Sequence, residues 1–414
     1  MSSMLIKGAI VVTQNAERSI INGDVYIEDN RIGEIASHIN VGADYEIDAS
    51  GKILMPGLIN THTHVGMSSM RGYADDISLD RFLDKTFAFD KGRSYASIYG
   101  DSLISIQEML ETGTTSFLDL YYGEDTIAKA AERLGARAFL AWVVLDKEYT
   151  TQKGTPLANA EHFVRKFAGK DGLISPEVGL QGIYVCSDET LLSAMELAER
   201  YGRIITMHLA ETAREVEASK KKHGKGPIEY LDSIGFLNWR LIAAHVVHAY
   251  ENDIMLLARR GVTVSHNPAS NMKLGNGIAP VYKMLKAGIN VTIGTDSVAS
   301  NNSLDMFQSI KLAALLQKGA TRDPSALTAQ QALDLATVNA AKALGVDDKI
   351  GSIEEGKLAD LVLLDPRPNG LPLSRENAVS NIVYALEGLN VEMSIINGKI
   401  VFDKNKRKKR QTRP

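Results

Sequence analysis

Apolar runs alternate with amphipathic stretches through the middle of this chain. The runs have the length and β-branched content of buried strands: Ile53–His64, Thr114–Asp119, Arg137–Leu145, Glu177–Val185, Ile204–Leu209, Leu241–His245, Val262–Ser265 and Asn290–Thr295. Between them lie stretches with helical periodicity: Tyr95–Glu111, Thr126–Leu134, Ser187–Tyr201, Thr212–His223, Ala249–Arg260, Ala279–Ala287 and Leu304–Gln317. This alternation predicts an α/β protein with a closed (β/α)8 TIM-like barrel, and a doubly wound open sheet is the alternative.

The two chain ends have a different pattern, with short strand-like runs separated by turn residues. Met4–Val12 and Asp24–Glu28 are such runs near the N-terminus, and Val391–Ile396 and Lys399–Phe402 are their counterparts near the C-terminus. They predict a second, small β-sandwich domain formed from both ends. We therefore assign residues 1–56 and 353–403 to the β-sandwich, 57–352 to the barrel, and 404–414 to a basic, disordered tail.

Composition and charge exclude several classes of partner. The net charge of -4 provides no basic field for nucleic acid, although contact through the basic tail is an alternative for that segment. No apolar run approaches the roughly 20 residues of a membrane helix, and Met1–Gly8 lacks the features of a signal peptide. The single cysteine, Cys186, fits a reducing compartment. We expect a cytoplasmic homo-oligomer with a small-molecule substrate.

Histidines and a carboxylate lie where the predicted barrel strands end. His62 and His64 are two residues apart, so both side chains point to one face of the first strand. His208 and His245 come at the ends of the fifth and sixth strands, and Asp296 follows the eighth. Active sites of such barrels lie at the C-terminal ends of the strands. Imidazoles with one carboxylate suit a divalent ion such as Zn²⁺ that keeps a position open for water.

Two further residues could take part in the chemistry. Glu211 lies just beyond the fifth strand, where it can reach the cavity and transfer a proton; the alternative is a carboxylate that the dipole of the following helix favours. His245 could ligate a second metal or orient the attacking water. The fourth predicted strand has no lysine, whose carbamate would bridge two ions, so we predict one metal per chain.

The other histidines carry weaker signals. His266 and His248 are predicted to be structural loop residues. His38, His162 and His223 lie away from strand ends and are predicted to be on the surface.

Long, ordered motifs carry a resemblance to a known family. Pro56-Gly57-Leu58-Ile59-Asn60-Thr61-His62-Thr63-His64 resembles the opening motif of the amidohydrolase superfamily. Other segments are similar to its branch of methylthioadenosine/S-adenosylhomocysteine deaminases and triazine chlorohydrolases: His208–Thr212, Ala244-His245, Ser265–Gly275, Gly294–Asn302 and Gly356–Leu361. The resemblance implies a (β/α) barrel with a β-sandwich built from both termini.

The resemblance also implies roles for individual residues. The implied ligands of one divalent ion, zinc with iron or nickel as alternatives, are His62, His64, His208 and Asp296. Hydroxide would attack the amino-bearing ring carbon while Glu211 protonates the adjacent ring nitrogen. Asp296 would accept the proton of the hydroxide, His245 would position the water, and ammonia would leave.

The implied reaction is deamination of an adenine nucleoside to its inosine analogue. Candidate substrates are 5′-methylthioadenosine, 5′-deoxyadenosine, adenosine and S-adenosylhomocysteine. The alternatives are deamination of a free base such as guanine or cytosine, hydrolysis of a chlorotriazine, and a non-catalytic relative that keeps the fold as a binding module.

Departures from the family pattern bear on the substrate. Members that act on S-adenosylhomocysteine are expected to use arginines after the third strand, and none occurs between Arg137 and Arg165, where Trp142 occupies one of the places. A histidine expected after the fourth strand is also absent, since none occurs between His162 and His208.

We therefore predict that Trp142 contacts the substrate and that the 5′ end of this nucleoside is uncharged. S-adenosylhomocysteine ranks lower, although Lys147 or Lys153 could replace an arginine as a point charge. The resemblance also implies a carboxylate that binds the ribose hydroxyls, and it aligns near Asp90.

Overall fold

The computed structural model describes residues 3–406, except for Ser78, Thr151 and Asp171. Its strands are β1 (Ser3–Val12), β2 (Ile20–Glu28), β3 (Arg31–Ala36), β4 (Tyr45–Asp48), β5 (Ile53–Pro56), β6 (Leu58–Thr63), β7 (Thr114–Tyr121), β8 (Arg137–Val144), β9 (Ile174–Leu180), β10 (Ile205–Leu209), β11 (Leu241–His245), β12 (Thr263–His266), β13 (Val291–Ile293), β14 (Leu361–Leu364), β15 (Val391–Ile396) and β16 (Lys399–Asp403).

Helices connect most of these strands. They are α1 (Leu79–Asp90), α2 (Tyr95–Glu111), α3 (Glu124–Leu134), α4 (Pro156–Phe167), α5 (Asp188–Tyr201), α6 (Ala213–His223), α7 (Pro227–Ser233), α8 (Glu251–Arg260), α9 (Pro268–Lys273), α10 (Val281–Lys286), α11 (Met306–Thr321), α12 (Ala329–Leu335), α13 (Val338–Ala343) and α14 (Ala378–Tyr384). None of the described helices is long and apolar enough to cross a bilayer.

The strands β6 to β13 form the predicted barrel. They follow one another in chain order, and every ladder between neighbours is parallel. At the seam between β13 and β6, the backbone N–H of Asp296 donates to the carbonyl of His62 at 2.9 Å. The barrel is therefore confirmed, and its seam brings the last predicted site residue beside the first.

Both chain ends meet in a second, mixed sheet, as predicted. Its order is β16-β15-β14-β5-β1-β2-β3, with β4 paired to β1. The antiparallel pairing of β5 with β14 joins the two ends, since Met55 lies opposite Val362. This sheet encloses its own apolar core, which includes Ile6, Val11, Val25, Ile27, Leu54, Leu361 and Ile395.

The predicted first strand, Ile53–His64, is wrong as a single element. It divides at Gly57 into β5, which belongs to the terminal sheet, and β6, which opens the barrel. Gly57 donates its N–H to Asp360 in the terminal sheet at 2.9 Å, while Leu58 donates to Gly113 beside the barrel at 3.0 Å. A Cβ at Gly57 would lie 2.0 Å from the hydroxyl of Thr115, so the crossing needs glycine.

The fourth barrel strand lies earlier than the predicted Glu177–Val185. It is β9, Ile174–Leu180, and the chain leaves the ladder at Gln181. The carbonyl of Gln181 instead accepts a hydrogen bond from the ring of His208 at 2.7 Å. The sequence of β9, ISPEVGL, still contains no lysine. The disordered tail was predicted to start at Lys404, but residues 404–406 are helical. Residues 407–414 fall outside the described residues, so their disorder stays a prediction.

Candidate metal centre and active site

Four side chains from both halves of the barrel meet at its C-terminal end. Oδ1 of Asp296 lies 3.2 Å from Nε2 of His64 and 3.7 Å from Nε2 of His62. Nε2 of His208 lies 3.3 Å from Nε2 of His64. The structure therefore brings together the four residues that the resemblance implies as metal ligands, with donor atoms directed at one another.

The donor set fits a divalent ion. His62 is 1% exposed, and neither of its ring nitrogens has a hydrogen-bond partner among the described residues. Such a buried polar group costs about 1–3 kcal/mol unless something pairs with it. His62 shares one cluster of potential ligand atoms with His64 and Asp296, and another with His208 and His245; within each, the atoms lie within 4.8 Å of one another. Imidazole nitrogens with a carboxylate are typical zinc ligands.

Backbone carbonyls orient two of the imidazoles. Nδ1 of His208 is hydrogen-bonded to the carbonyl of Gln181 at 2.7 Å, and Nδ1 of His64 to that of Leu120. A carbonyl only accepts, so each Nδ1 carries a proton and donates it. When the rings are neutral, each Nε2 presents a free lone pair to the centre, which is the state that metal binding needs.

Hydroxyl groups fix the carboxylate of Asp296. Ser270 and Ser300 donate to Oδ2 at 2.6 Å and 2.8 Å, and the N–H of Ser297 donates to Oδ1 at 2.7 Å. Burial by itself raises the pKa of Asp296, but the hydrogen bond and the charge that a protonated His64 supplies outweigh it and hold the pKa well below its usual range. The carboxylate is therefore ionised at neutral pH.

Glu211 and His245 lie beside this centre. Oε2 of Glu211 lies 3.8 Å from Nε2 of His245, and Asn276 donates to Oε1 of Glu211 at 2.9 Å. Asn271 holds Nδ1 of His245 through its side-chain oxygen at 2.8 Å. Burial raises the pKa of Glu211, which favours a carboxyl group that can hold and deliver a proton.

The backbone at the strand ends adopts a left-handed conformation that is uncommon outside glycine. The φ angles are 48° at Ala210, 73° at His245, 45° at Val246 and 62° at Asp296. Such conformations cost on the order of 1–3 kcal/mol each and persist where surrounding contacts enforce them. Here they direct the side chains of the strand ends across the top of the barrel.

Sequence reasoning missed Glu215, which supports Glu211. Its buried carboxylate accepts from the N–H of Ala210 at 3.0 Å and from that of Glu211 at 2.8 Å. Its own N–H bonds to Thr212, the N-cap of α6, at 3.0 Å. The spacing Thr-x-x-Glu is the signal that could have identified it, since it marks a helix capping box.

We expect Glu215→Gln to lower kcat about tenfold with little change in KM. An amide has one acceptor oxygen where the carboxylate has two, so one backbone N–H of the Ala210–Glu211 turn loses its partner, at a cost of about 1–3 kcal/mol. Steady-state kinetics and thermal unfolding would measure both effects. Glu217→Gln, the same change on the exposed face of α6, is the control. Equal kcat in both variants would contradict this role.

A cavity of about 460 Å³ opens beside the metal centre. The residues of the centre that line it are His64, His208, Glu211, His245 and Asp296. Its outer walls come from α1, from the end of β8 and from the segments after β7, β8 and β9, and they include Phe82, Phe87, Asp90, Tyr122, Val143, Tyr149 and Gln181. Asp90, which we predicted to contact the substrate, thus lines this cavity.

Trp142 does not line this cavity, so its prediction as a direct substrate contact is wrong. Its ring packs against Phe163 of α4 at 5.9 Å, on the outer face of β8. Its indole N–H donates to Gln152 at 2.8 Å, and Gln152 lines the cavity. Val143, the next residue along the strand, is the one that faces the cavity.

His266 lies at the end of β12 rather than in a loop. It is wholly buried, and neither ring nitrogen has a hydrogen-bond partner in the part of the chain that is described. Burial lowers its pKa to about 3, so the ring is neutral. The side chain of His38 is 79% exposed, as predicted for a surface residue.

A comparison with known proteins identifies the family. Residues 53–401 match the model of the amidohydrolase family. The chain belongs to this family. The candidate metal centre therefore lies on an amidohydrolase barrel, as the resemblance implied.

Curated amidohydrolase relatives match nearly the whole chain. A 5′-deoxyadenosine deaminase of Methanosarcina acetivorans is 43% identical over 97% of this chain and 93% of its own length. A 5-methylthioadenosine/S-adenosylhomocysteine deaminase of Thermococcus sibiricus is 42% identical over 97% of this chain and 94% of its own.

Solved structures agree with this fold. A zinc-bound adenosine deaminase from Xanthomonas campestris superposes with a TM-score of 0.92 at 32% identity, covering 96% of this chain and 92% of that one. A zinc complex of atrazine chlorohydrolase from Arthrobacter aurescens has a TM-score of 0.87, covering 97% and 95%. Because the atrazine chlorohydrolase is only 23% identical to this chain, the likeness between them shows the fold alone.

Proposed function

We propose that this chain is a metal-dependent deaminase that hydrolyses the exocyclic amino group of an adenine nucleoside. The observation that carries the proposal is Glu211, a buried carboxyl group with a raised pKa, which faces the same cavity as Asp296 and the histidine cluster. Deamination of a ring needs a proton donor and a hydrolytic centre on one cavity. The names of the deaminases that are 42–43% identical support the adenine nucleoside as substrate.

We propose one zinc ion per chain, held by His62, His64, His208 and Asp296. Zinc in such a site supplies hydroxide at neutral pH by lowering the pKa of bound water to about 7. The zinc in the related adenosine deaminase structure supports this choice of ion. The predicted cytoplasmic location and homo-oligomeric state stay predictions.

The residues of the chain then divide the proton transfers between them. Glu211 gives its proton to the ring nitrogen beside the amino-bearing carbon as that carbon gains the oxygen of water. Asp296, ionised and fixed by two serines, accepts the proton that the water loses. His245, held by Asn271, places Nε2 beside Glu211, where it hydrogen-bonds the attacking water. Asp296 then gives this proton to the amino group, which leaves as ammonia, and the hydroxyl proton of the intermediate restores Glu211 as the carbonyl of the inosine analogue forms.

The proposal is tested by screening purified protein for ammonia release. The substrates are 5′-methylthioadenosine, 5′-deoxyadenosine, adenosine, S-adenosylhomocysteine, guanine, cytosine and a chlorotriazine. We expect release from the adenine nucleosides, with kcat/KM at least about 10⁴ M⁻¹s⁻¹ for the preferred one. Release from a free base alone would contradict the proposal and favour a base deaminase.

We expect kcat/KM for 5′-methylthioadenosine to exceed that for S-adenosylhomocysteine by about 10-fold to 100-fold. Among the described residues that line the cavity, Lys91 is the one lysine or arginine, whereas Asp84 and Glu148 are acidic. Lys147 instead donates to the carbonyls of Gln152 and Gly154. The carboxylate of S-adenosylhomocysteine therefore has Lys91 but no second cation as a partner. It lacks one charge-assisted hydrogen bond, which contributes about 1.5–3 kcal/mol.

Steady-state kinetics on the two nucleosides would decide this preference. Equal or higher kcat/KM for S-adenosylhomocysteine would contradict it. Lys91→Gln should lower the value for S-adenosylhomocysteine and leave that for 5′-methylthioadenosine unchanged, because the thioether makes no use of a cation.

Elemental analysis of active protein should find one tightly bound divalent ion per chain. The reason is the absence of lysine from β9, where a bridging carbamate would form. Two ions per chain that are both needed for full activity would contradict the mononuclear site and indicate that His245 is also a ligand.

A further inference from the structure

Two buried carboxyl groups meet beside the segment that follows His64. Asp119 lies in β7 and Glu124 is the first residue of α3, and both are wholly buried. Their carboxyl groups are in hydrogen-bond contact with each other. Neither residue is among the described residues that line the cavity. A substitution at either position therefore removes no direct contact with a substrate.

The two groups need a proton between them. Oδ2 of Asp119 and Oε2 of Glu124 have no hydrogen-bond donor among the described residues, and an ionised carboxylate can only accept. Burial raises the pKa of both groups, and the charge of Asp119 raises the pKa of Glu124 further. Two carboxyl groups in contact away from water do not both ionise. One of them therefore keeps its proton and donates it to the other.

The remaining two oxygens hold backbone groups. Oδ1 of Asp119 accepts from the N–H of Val65 at 2.7 Å, and Oε1 of Glu124 accepts from the N–H of Tyr121 at 3.1 Å. Val65 begins a short 3₁₀ helix, Val65–Met70, whose N-cap His64 offers no side-chain hydrogen bond. The first N–H groups of a helix lack partners within it, so Asp119 supplies the acceptor that this helix start needs.

The pair therefore holds His64 from two directions. Asp119 fixes the backbone directly after His64. Leu120, whose carbonyl accepts from Nδ1 of His64, lies between Asp119 and Tyr121, the two residues of β7 that the pair holds. The backbone and the ring of His64 thus depend on one unit. Nε2 of the same ring lies 3.2 Å from Oδ1 of Asp296.

We propose that Asp119 and Glu124 are positioning residues whose shared proton locks β7 and α3 against the backbone of His64 and so orients this imidazole toward the metal ion. This inference rests on the proposed function, in which His64 is a zinc ligand. Groups that support a ligand from behind typically change metal affinity about 10-fold to 100-fold when they are lost. A shared proton lets one unit bury two acids with a single negative charge.

The test measures the rate of zinc loss to a chelator from the wild-type holoenzyme, Asp119→Asn, Glu124→Gln and the double variant. In each single variant the amide N–H takes the place of the shared proton and donates to the remaining carboxylate, so zinc should be lost at close to the wild-type rate. In the double variant no carboxylate is left to accept, and zinc should be lost about 10-fold to 100-fold faster. The visible spectrum of the cobalt-substituted protein, which reports ligand geometry, should change in the double variant alone.

Asp125→Asn is the matched control, since Asp125 follows Glu124 in α3 but pairs with Lys166 at the surface. Asp119→Asn combined with Asp125→Asn should behave as Asp119→Asn alone. Losses in the two single variants that simply add up in the double variant would overturn the shared proton. A double variant with a lower unfolding temperature but unchanged zinc loss and cobalt spectrum would overturn the positioning role.

The same assays separate this inference from the proposed function. A wild-type protein that holds no divalent ion would overturn the metal centre and the positioning role with it. A zinc-bound wild type that releases no ammonia from any adenine nucleoside would overturn the proposed substrate, while the zinc-loss rates would still decide the role of Asp119 and Glu124.

Discussion

Glu211→Gln is expected to lower kcat by about 10²–10⁴-fold while the metal stays bound. Glutamine keeps the shape of the side chain but has no proton to deliver, and general acid–base catalysis contributes factors of this size. Asn276 donates to Oε1 of Glu211, and the amide oxygen of glutamine can accept that bond, so the pocket should keep its form. Steady-state kinetics combined with metal analysis of the same sample would measure both quantities.

The outcome separates proton transfer from structural support. Glu217→Gln on α6, where the side chain is exposed, should retain wild-type kcat. If Glu211→Gln kept most of its turnover, a group other than Glu211 would have to protonate the ring nitrogen of the substrate. If it lost the metal, Glu211 would be part of the metal centre.

His62→Ala is expected to lose metal and activity together, down to background. His62 belongs to both clusters of potential ligand atoms, and its unpaired nitrogens have no partner within the described protein. Removing a metal ligand differs from removing the proton donor, since no metal-bound state survives to be assayed. Metal content by elemental analysis, ammonia release and thermal unfolding should be measured on one preparation.

His162→Ala, at an exposed position of α4, is the control for loss of a histidine. It should bind metal and turn over substrate as the wild type does. A folded His62→Ala variant with a full complement of metal would remove His62 from the ligand set and leave His64, His208 and Asp296 as the candidates.

The local sequence determined the elements and the end of the barrel where chemistry occurs. Strands and helices differ in hydrophobic period, and that period is a property of neighbouring residues. The bounds Tyr95–Glu111 and Leu241–His245 were predicted as the structure has them. Because parallel strands align their carboxyl ends, residues that follow strands had to converge, which is why His208 and Asp296 could be placed together before any distance was known.

Tertiary pairing decided what the apolar pattern left open. Residues on both sides of Gly57 are wholly buried, so hydrophobicity gave no sign that the chain crosses there from one sheet to the other. Only the partners of each strand, β14 for one and β7 for the other, distinguish them. Likewise β8 is apolar on both faces, so its sequence did not show that Val143 faces the cavity and Trp142 faces α4.

The supporting residues of the site depended on tertiary structure for the same reason. Arg93 precedes α2 and Asp101 lies within it, a pattern as typical of a solvated surface as of a buried pair. They form a buried pair in which Arg93 also bonds to Tyr121 of β7, and Tyr121 in turn bonds to Asp90 of α1. Hydrogen bonds between elements that are distant in sequence have no period. The sequence therefore determined which residues could do the chemistry, and the packing of the barrel decided which others hold them in place.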